Sequence, residues 1–209
     1  QYNDLLGDEN FEMTSIQLTP TNADKFTENW RKKSAASGKP WVVMLDEIGP
    51  AGQGVTDKNA KTIRRQTLWP AYLSGAGGVE WYMGYHSLPL GGDMSLEDFR
   101  TRKEMWAYTW IGRLFMAELP VSEMAPKDNL LGIDDGQVFY KKGLVYAIYL
   151  PNGGQTTLNL SAENGSWEMK WYNVNTGTWG QVVTLTAGST VSLGAPDFPG
   201  DVAALIQKL

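Results

Sequence analysis

The feature that most constrains the fold is a change of pattern near residues 120–130. Before this point, apolar runs of strand length alternate with amphipathic helical patterns. After it, short strands follow one another and helical patterns largely disappear. Alternating strands and helices are typical of a parallel sheet, whereas short, closely spaced strands are typical of an antiparallel sandwich. We therefore predict two domains, at residues 1–122 and 123–209.

The first half of the chain has the order β-α-β-α-β-α. The sequence predicts strands at 13–20, 41–47 and 76–85 and helices at 22–39, 58–75 and 95–119. The continuous apolar run WVVML at 41–45 suits a strand that is buried on both faces, as in a parallel sheet. Asn22 is placed to cap the first helix, and Pro70 is expected to kink or end the second.

Three strands and three helices are too few to close a (β/α)8 barrel, which needs about 250 residues. One interpretation is a complete small α/β domain. The other, which we favour because the sequence starts at Gln1 with no strand or capping signal, is the C-terminal part of a barrel. Its remaining N-terminal strands would then lie on a companion chain or fragment. The predicted fold class is α/β plus all-β, a C-terminal portion of a (β/α)8 TIM barrel followed by a small antiparallel β-sandwich.

The second half of the chain has the pattern of hairpins. Strands are predicted at 137–141, 144–150 and 155–160, with glycine-containing turns between them. In the next strand, Trp167 and Trp171 share one face by period-two alternation. These indoles are interpreted as sandwich core, with a sugar-binding platform as the alternative.

The composition excludes several classes of function. The 209 residues contain no cysteine and a single histidine, so thiolate metal sites, cysteine nucleophiles and HExxH zinc sites are absent from the sequence. We therefore expect no metal and no cofactor. A net charge of −5 argues against a nucleic-acid partner. No apolar run approaches the roughly 20 residues of a membrane span, so no membrane partner is expected.

Two carboxylates end the second predicted strand, in the stretch WVVMLDEIGP at 41–50. Alternation places Glu47 with Val43 and Leu45 and places Asp46 on the opposite face. Active sites of (β/α)8 barrels form at the carboxyl ends of the strands, where Glu47 would lie. We interpret Glu47 as the catalytic candidate and Asp46 as a structural partner in the outer helical layer. The residues alone leave open a solvated loop charge.

The third predicted strand ends in a group of aromatic and polar residues that suits a sugar site. An indole at this rim would stack on a pyranose ring, with hydrogen-bonding groups around it. The candidate substrate-binding residues are Glu80, Trp81, Tyr82, Tyr85 and His86. The alternatives are that Trp81 belongs to the core and that Glu80 pairs with an arginine such as Arg64 or Arg65.

Three blocks of sequence carry a resemblance to a known group of proteins. The blocks are GKPWVVMLDEIGP, IRRQTLWPAYLSGAGGVEWYMGY and YAIYLPNGG with the later WEMKWYNVNTG. Together they resemble the C-terminal portion of bacterial proteins similar to apiosidase-like and clan A (β/α)8 glycoside hydrolases. Those proteins end in a β-sandwich that bears the name of a collagen-binding domain of a collagenase.

The resemblance implies roles for two residues. In the clan, the nucleophilic glutamate ends the seventh strand, which matches Glu47, and the eighth strand carries a tryptophan, which matches Trp81. The acid/base glutamate of the clan ends the fourth strand, which has no counterpart in these 209 residues. The collagen name receives no support from the sequence, which lacks the ligands of a zinc collagenase.

The predicted function is hydrolysis of O-glycosyl bonds in a polysaccharide or oligosaccharide substrate, with retention of configuration. The alternative is a non-catalytic carbohydrate- or collagen-binding module, and a third interpretation is a sandwich that only supports the barrel. We expect a secreted or periplasmic protein whose signal peptide is not in this chain.

Overall fold

The computed structural model describes residues 2–17, 20–48, 61–81, 100 and 103–209. The chain divides into two compact units, residues 1–109 and residues 110–209. The division falls inside a helix, 13 residues before the boundary that the sequence predicts between residues 122 and 123. Each unit is described below by itself.

The first unit contains a three-stranded parallel sheet with helices between its strands. In chain order its elements are β1 (Met13–Gln17), α1 (Ala23–Ala36), β2 (Val42–Ile48), α2 (Lys61–Ile63), α3 (Trp69–Leu73), β3 (Gly78–Trp81) and the first turns of α4 (Lys103–Met116), with 3-10 turns at Tyr2–Leu5 and Pro20–Asn22. The strands lie in the order β1-β2-β3, and both pairings are parallel. The predicted alternation of strands and helices is confirmed.

The second helical segment of this unit is interrupted, as the proline in it predicts. A π-helical turn at Arg64–Leu68 separates α2 from α3, and Pro70 lies in the first turn of α3. Proline has no N–H to donate, and a widened turn is one way to accommodate the missing backbone bond. Asn22 occupies the N-cap position of α1, but its side chain makes no capping hydrogen bond, so that prediction is wrong in its detail.

The core of the first unit lies between one face of the sheet and the helices. Val43, Leu45 and Ile48 of β2 are at most 1% exposed and pack in one apolar cluster with Ile16 of β1 and Ala71 of α3. The opposite face of the same sheet is more open, because Met13 and Val42 are both more than half exposed. Among the residues that the structure describes, the sheet therefore has one face buried by helices and one that no helix covers, called the helix-free face below.

The second unit is built from antiparallel strands. They are β4 (Ala125–Pro126), β5 (Gln137–Lys141), β6 (Val145–Leu150), β7 (Thr157–Asn159), β8 (Ser166–Tyr172), β9 (Trp179–Thr186), β10 (Thr190–Ser192) and β11 (Val202–Lys208), with 3-10 turns at Val121–Glu123 and Asp128–Leu130. A six-stranded sheet has the order β4-β5-β6-β11-β8-β9, and β7 pairs with β10 in a smaller sheet. The three strands predicted first in this half are observed, although β7 is shorter than predicted. The predicted hairpin of β5 and β6 is confirmed, whereas the predicted hairpin of β6 and β7 is wrong, because β7 pairs with β10 in the smaller sheet.

The two sheets enclose one apolar cluster. Trp167, Met169 and Trp171 of β8 are at most 2% exposed and lie in this cluster with Leu158 of β7 and Leu193. Their interpretation as core residues is confirmed, and neither indole is available as an exposed sugar platform.

The other face of the six-stranded sheet carries an aromatic contact with α4. The Phe115 ring lies 5.2 Å from the Tyr172 ring and 5.8 Å from the Trp179 ring, measured between centroids. The Tyr172 hydroxyl donates a hydrogen bond of 3.0 Å to the carbonyl oxygen of Ile111. The end of α4 is therefore attached to the sheet by packing and by a buried hydrogen bond.

Candidate active site

The carboxyl ends of the three parallel strands form one edge of the first unit, and the pairing there is irregular. Leu45 pairs with Val79 and Ile48 pairs with Trp81, so Asp46 and Glu47 of β2 lie opposite the single residue Glu80 of β3. This arrangement is a β-bulge, which locally redirects the strand that carries the extra residue. Strict period-two alternation, on which the sequence analysis relied, therefore stops between Asp46 and Ile48.

The bulge explains why Ile48 is fully buried. With one extra residue in β2, Ile48 takes the helix-facing position that alternation assigns to Glu47. The backbone of Glu47 lies within β2 at the bulge, whereas its side chain lies outside the described part of the structure. Its role as a nucleophile stays a prediction.

Asp46 lies on the helix-free face of the sheet, not in the outer helical layer as the sequence analysis expected. Its Oδ2 accepts a hydrogen bond from the Ser15 hydroxyl of β1, and Ser15 pairs in register with Met44, two residues before Asp46. The helices cover the opposite face, where Val43 and Leu45 are buried. The expectation was wrong because strand alternation separates the two faces of a sheet but does not show which face the helices cover.

Glu80 lies on the same helix-free face as Asp46. Its neighbours in β3, Val79 and Trp81, pack against the helix-facing cluster, so Glu80 alternates to the other side and is exposed. A side chain at Gly78, two residues earlier, would meet the Met44 side chain at 2.8 Å, which places both on that face. Two carboxylates from adjacent strands thus share one face at the carboxyl edge.

Trp81 lies in the core beneath this edge. It is 9% exposed and belongs to the apolar cluster that contains Leu45 and Met105. Its Nε1 donates a hydrogen bond of 2.8 Å to Oγ1 of Thr109, which in turn donates to the Met105 carbonyl oxygen at 2.8 Å. This placement agrees with the alternative in which Trp81 is a core residue that fixes the end of β3.

The other candidate residues are not all described. Tyr82, Tyr85 and His86 lie outside the described residues, so their substrate-binding roles stay predictions. The sequence analysis overlooked Ser15 and Thr109, whose hydroxyls bond to Asp46 and Trp81. Alternation along β1 could have indicated Ser15, because this residue occupies an exposed position of the strand. Nothing in the sequence connects Thr109 with Trp81.

Two further observations concern only the described residues. They contain no group of three or more His, Cys, Asp or Glu side chains arranged to hold a metal ion. None of their helices is both long enough and apolar enough to cross a membrane.

Comparison with known proteins supports the fold. The sequence matches no protein-family profile and no curated protein. Among solved structures, a glycoside hydrolase is similar over 87% of this chain, with a TM-score of 0.66 and 13% identity. A glycoside hydrolase family 5 protein from Bacteroides vulgatus is similar over 87%, with a TM-score of 0.65 and 16% identity. A candidate glycoside hydrolase from the same organism is similar over 97%, with a TM-score of 0.53 and 14% identity.

This chain spans less than half the length of those proteins, with 46%, 45% and 42% of the three chains covered. At such low identity the likeness concerns the fold alone. The chain is a mixed α/β protein with several sheets, and its fold corresponds to part of the fold of glycoside hydrolases.

Proposed function

We propose that this chain is part of a retaining glycoside hydrolase that acts on a polysaccharide or oligosaccharide, with Glu47 as the nucleophile. The observation that carries the proposal is the bulge at the carboxyl end of β2, where Asp46 and Glu47 lie opposite Glu80. Bulges occur often beside active sites, where they redirect a side chain. The fold shared with glycoside hydrolases supports the same assignment.

In the proposed reaction, the Glu47 carboxylate attacks the anomeric carbon while a second carboxyl group protonates the leaving oxygen. A covalent glycosyl-enzyme forms, and water then hydrolyses it with the second group acting as base. Retention requires the two carboxyl groups to lie about 5–5.5 Å apart. Glu80 shares the helix-free face with Asp46 and would bind substrate hydroxyls, as would Tyr82, Tyr85 and His86. The reaction needs no metal or cofactor.

The acid/base carboxylate would come from a companion part of the barrel. The helix-free face supports this, since Met13 and Val42 expose 54% and 52% of their surface on one side of a parallel sheet. Parallel sheets normally have both faces covered. In a closed barrel this face would pack against the side chains of the other strands. Along α4, Trp106 and Trp110 are also exposed, at 43% and 54%.

The test is hydrolysis of aryl glycosides and oligosaccharides by the protein with its companion strands present. Glu47→Gln removes the nucleophile and should lower kcat/KM by roughly 10³-fold or more. Glu104→Gln, at an exposed carboxylate in the first turn of α4, is the matched control and should leave activity unchanged. Full activity of Glu47→Gln would refute the assignment.

The proposed location, secreted or periplasmic, is tested separately by fractionating the producing cells.

A further inference from the structure

The second unit contains a small pocket that has no part in the proposed hydrolysis. Its volume is about 130 Å³, and its lining includes Lys127, Tyr140, Lys142, Asn159 and Glu163. It lies beside β5 and β6 and the turn after β7, entirely within residues 110–209. Sites for drug-sized ligands occupy about 300–1,000 Å³, so this pocket suits one small ring.

The floor of the pocket is a carboxylate that is held by only one of its oxygens. Glu163 is 9% exposed. Its Oε1 accepts hydrogen bonds from the Tyr146 hydroxyl at 2.7 Å and from the Gly143 N–H at 3.0 Å. Within the described part of the chain, Oε2 accepts no hydrogen bond and Glu163 forms no ion pair. Oε2 is not one of the fully buried atoms without a partner, so it keeps some contact with solvent and is available to a ligand.

Tyr146 keeps its proton for this contact. Burial raises the pKa of Tyr146 well above its ordinary value, and the hydrogen bond to Glu163 raises it further. The rings of Tyr146 and Tyr140 lie 5.4 Å apart between centroids, and Tyr140 is half-buried at the pocket wall. The floor and one wall of the pocket are therefore partly aromatic.

The rim offers hydrogen-bond donors. Asn159 is exposed, and its Oδ1 accepts from the Ser161 backbone and hydroxyl, at 3.0 and 2.6 Å, which fixes the amide. Among the described residues nothing bonds to Asn159 Nδ2. Lys127 and Lys142 are exposed at the same rim, with the Lys127 ammonium 5.9 Å from the Tyr140 ring centroid. The pocket thus combines an acceptor below with donors above.

This charge pattern selects the ligand class. An ammonium ligand would be attracted by Oε2 but repelled by the two lysines. A simple anion would be attracted by the lysines but repelled by the buried carboxylate. A sugar ring suits both, because its hydroxyls donate and accept and its carbon skeleton packs on an aromatic side chain. We propose that the pocket is a non-catalytic binding site for one sugar unit of a glycan, with Glu163 Oε2 accepting from its hydroxyls.

The experiment begins by screening the full chain against an array of neutral and acidic oligosaccharides, followed by calorimetric titration of the strongest binder. Glu163→Gln keeps an acceptor for Tyr146 and Gly143 but removes the charge. We expect its affinity for the sugar to fall about tenfold, since hydrogen bonds to charged groups are the stronger ones. Glu168→Gln, at a half-buried carboxylate of β8 outside the pocket, is the matched control and should bind as the parent does.

A second measurement does not depend on any variant. Bound sugar should shift the NMR signal of the Gly143 amide, which donates to Glu163. No sugar bound by the parent chain, equal binding by Glu163→Gln, or binding without a shift at Gly143 would each overturn the proposal. These outcomes are independent of the proposed hydrolysis, because Glu47 lies in the other unit.

Discussion

The Ser15 hydroxyl donates a hydrogen bond to the Asp46 carboxylate across two neighbouring parallel strands. This bond holds Asp46 on the helix-free face, beside the bulge that contains Glu47. Asp46 already has a partner in the sheet, and Glu47 is left as the proposed nucleophile.

Asp46→Asn should lower glycoside hydrolysis far less than Glu47→Gln does. The amide oxygen of asparagine still accepts the Ser15 hydrogen bond, so the strand ends keep their positions. The measurement compares kcat/KM of the two variants with that of the parent. If Asp46→Asn lost as much activity as Glu47→Gln, the choice between the two acids would be wrong.

Trp81→Phe should destabilise the first unit with little effect on substrate affinity. The substitution removes the indole N–H that bonds to Thr109 at 2.8 Å, at a cost of about 0.5–1.5 kcal/mol. Trp81→Ala should cost about 3–5 kcal/mol, because the ring is buried in the core. Urea unfolding and KM are measured together. An unchanged free energy of unfolding with a raised KM would make Trp81 a substrate contact instead.

Gly153→Ala should destabilise the second unit more than Gly154→Ala. Both glycines have positive φ, at 62° and 85°, so either substitution carries the backbone cost of about 1–2 kcal/mol. A Cβ at Gly153 would also lie 2.3 Å from the Gly200 carbonyl oxygen, whereas one at Gly154 meets nothing within 4 Å. Thermal unfolding of the two variants measures the difference. Equal stabilities would contradict the close approach of these turns.

The stability of the second unit should fall at alkaline pH in a way that depends on Tyr172. Burial raises the pKa of Tyr172 above its ordinary value, and the negative charge of Glu118 raises it further. The contribution is complete below the ordinary tyrosine pKa of about 10. It is lost as pH rises from there towards the folded-state pKa, because the unfolded chain releases the proton first.

Tyr172→Phe isolates this effect. It lacks the hydrogen bond to Ile111 and should be about 0.5–1.5 kcal/mol less stable at pH 8. Its stability should then decline less steeply than that of the parent between pH 9 and about pH 11. Urea midpoints across this range provide the comparison. Parallel declines for the two proteins would contradict the assignment to Tyr172.

Periodicity in the sequence predicted the elements well and the details of the site less well. The run WVVMLDE indicated the strand β2 because its apolar residues are consecutive and a breaker follows. The alternation of Trp167 and Trp171 likewise indicated that both indoles lie in a core. Both signals are local, since each depends on residues within one element.

The sequence could not predict the geometry of the strand ends. The bulge at Asp46 and Glu47 is a property of the pairing with β3, and pairing register is not written in either strand alone. The bonds from Ser15 to Asp46 and from Trp81 to Thr109 join residues 31 and 28 positions apart. Such contacts depend on tertiary packing, so a reading of one strand assigned Asp46 to the wrong layer.

The central claim, that Glu47 is the nucleophile of a retaining glycosidase, is tested most directly by covalent trapping. The protein with its companion strands is incubated with a panel of 2-deoxy-2-fluoro glycosyl fluorides, and labelled peptides are identified by mass spectrometry. The predicted result is one sugar attached through an ester to Glu47, and no label in Glu47→Gln. A label on another carboxylate, or turnover of the same glycosides without any trapped sugar, would contradict the claim.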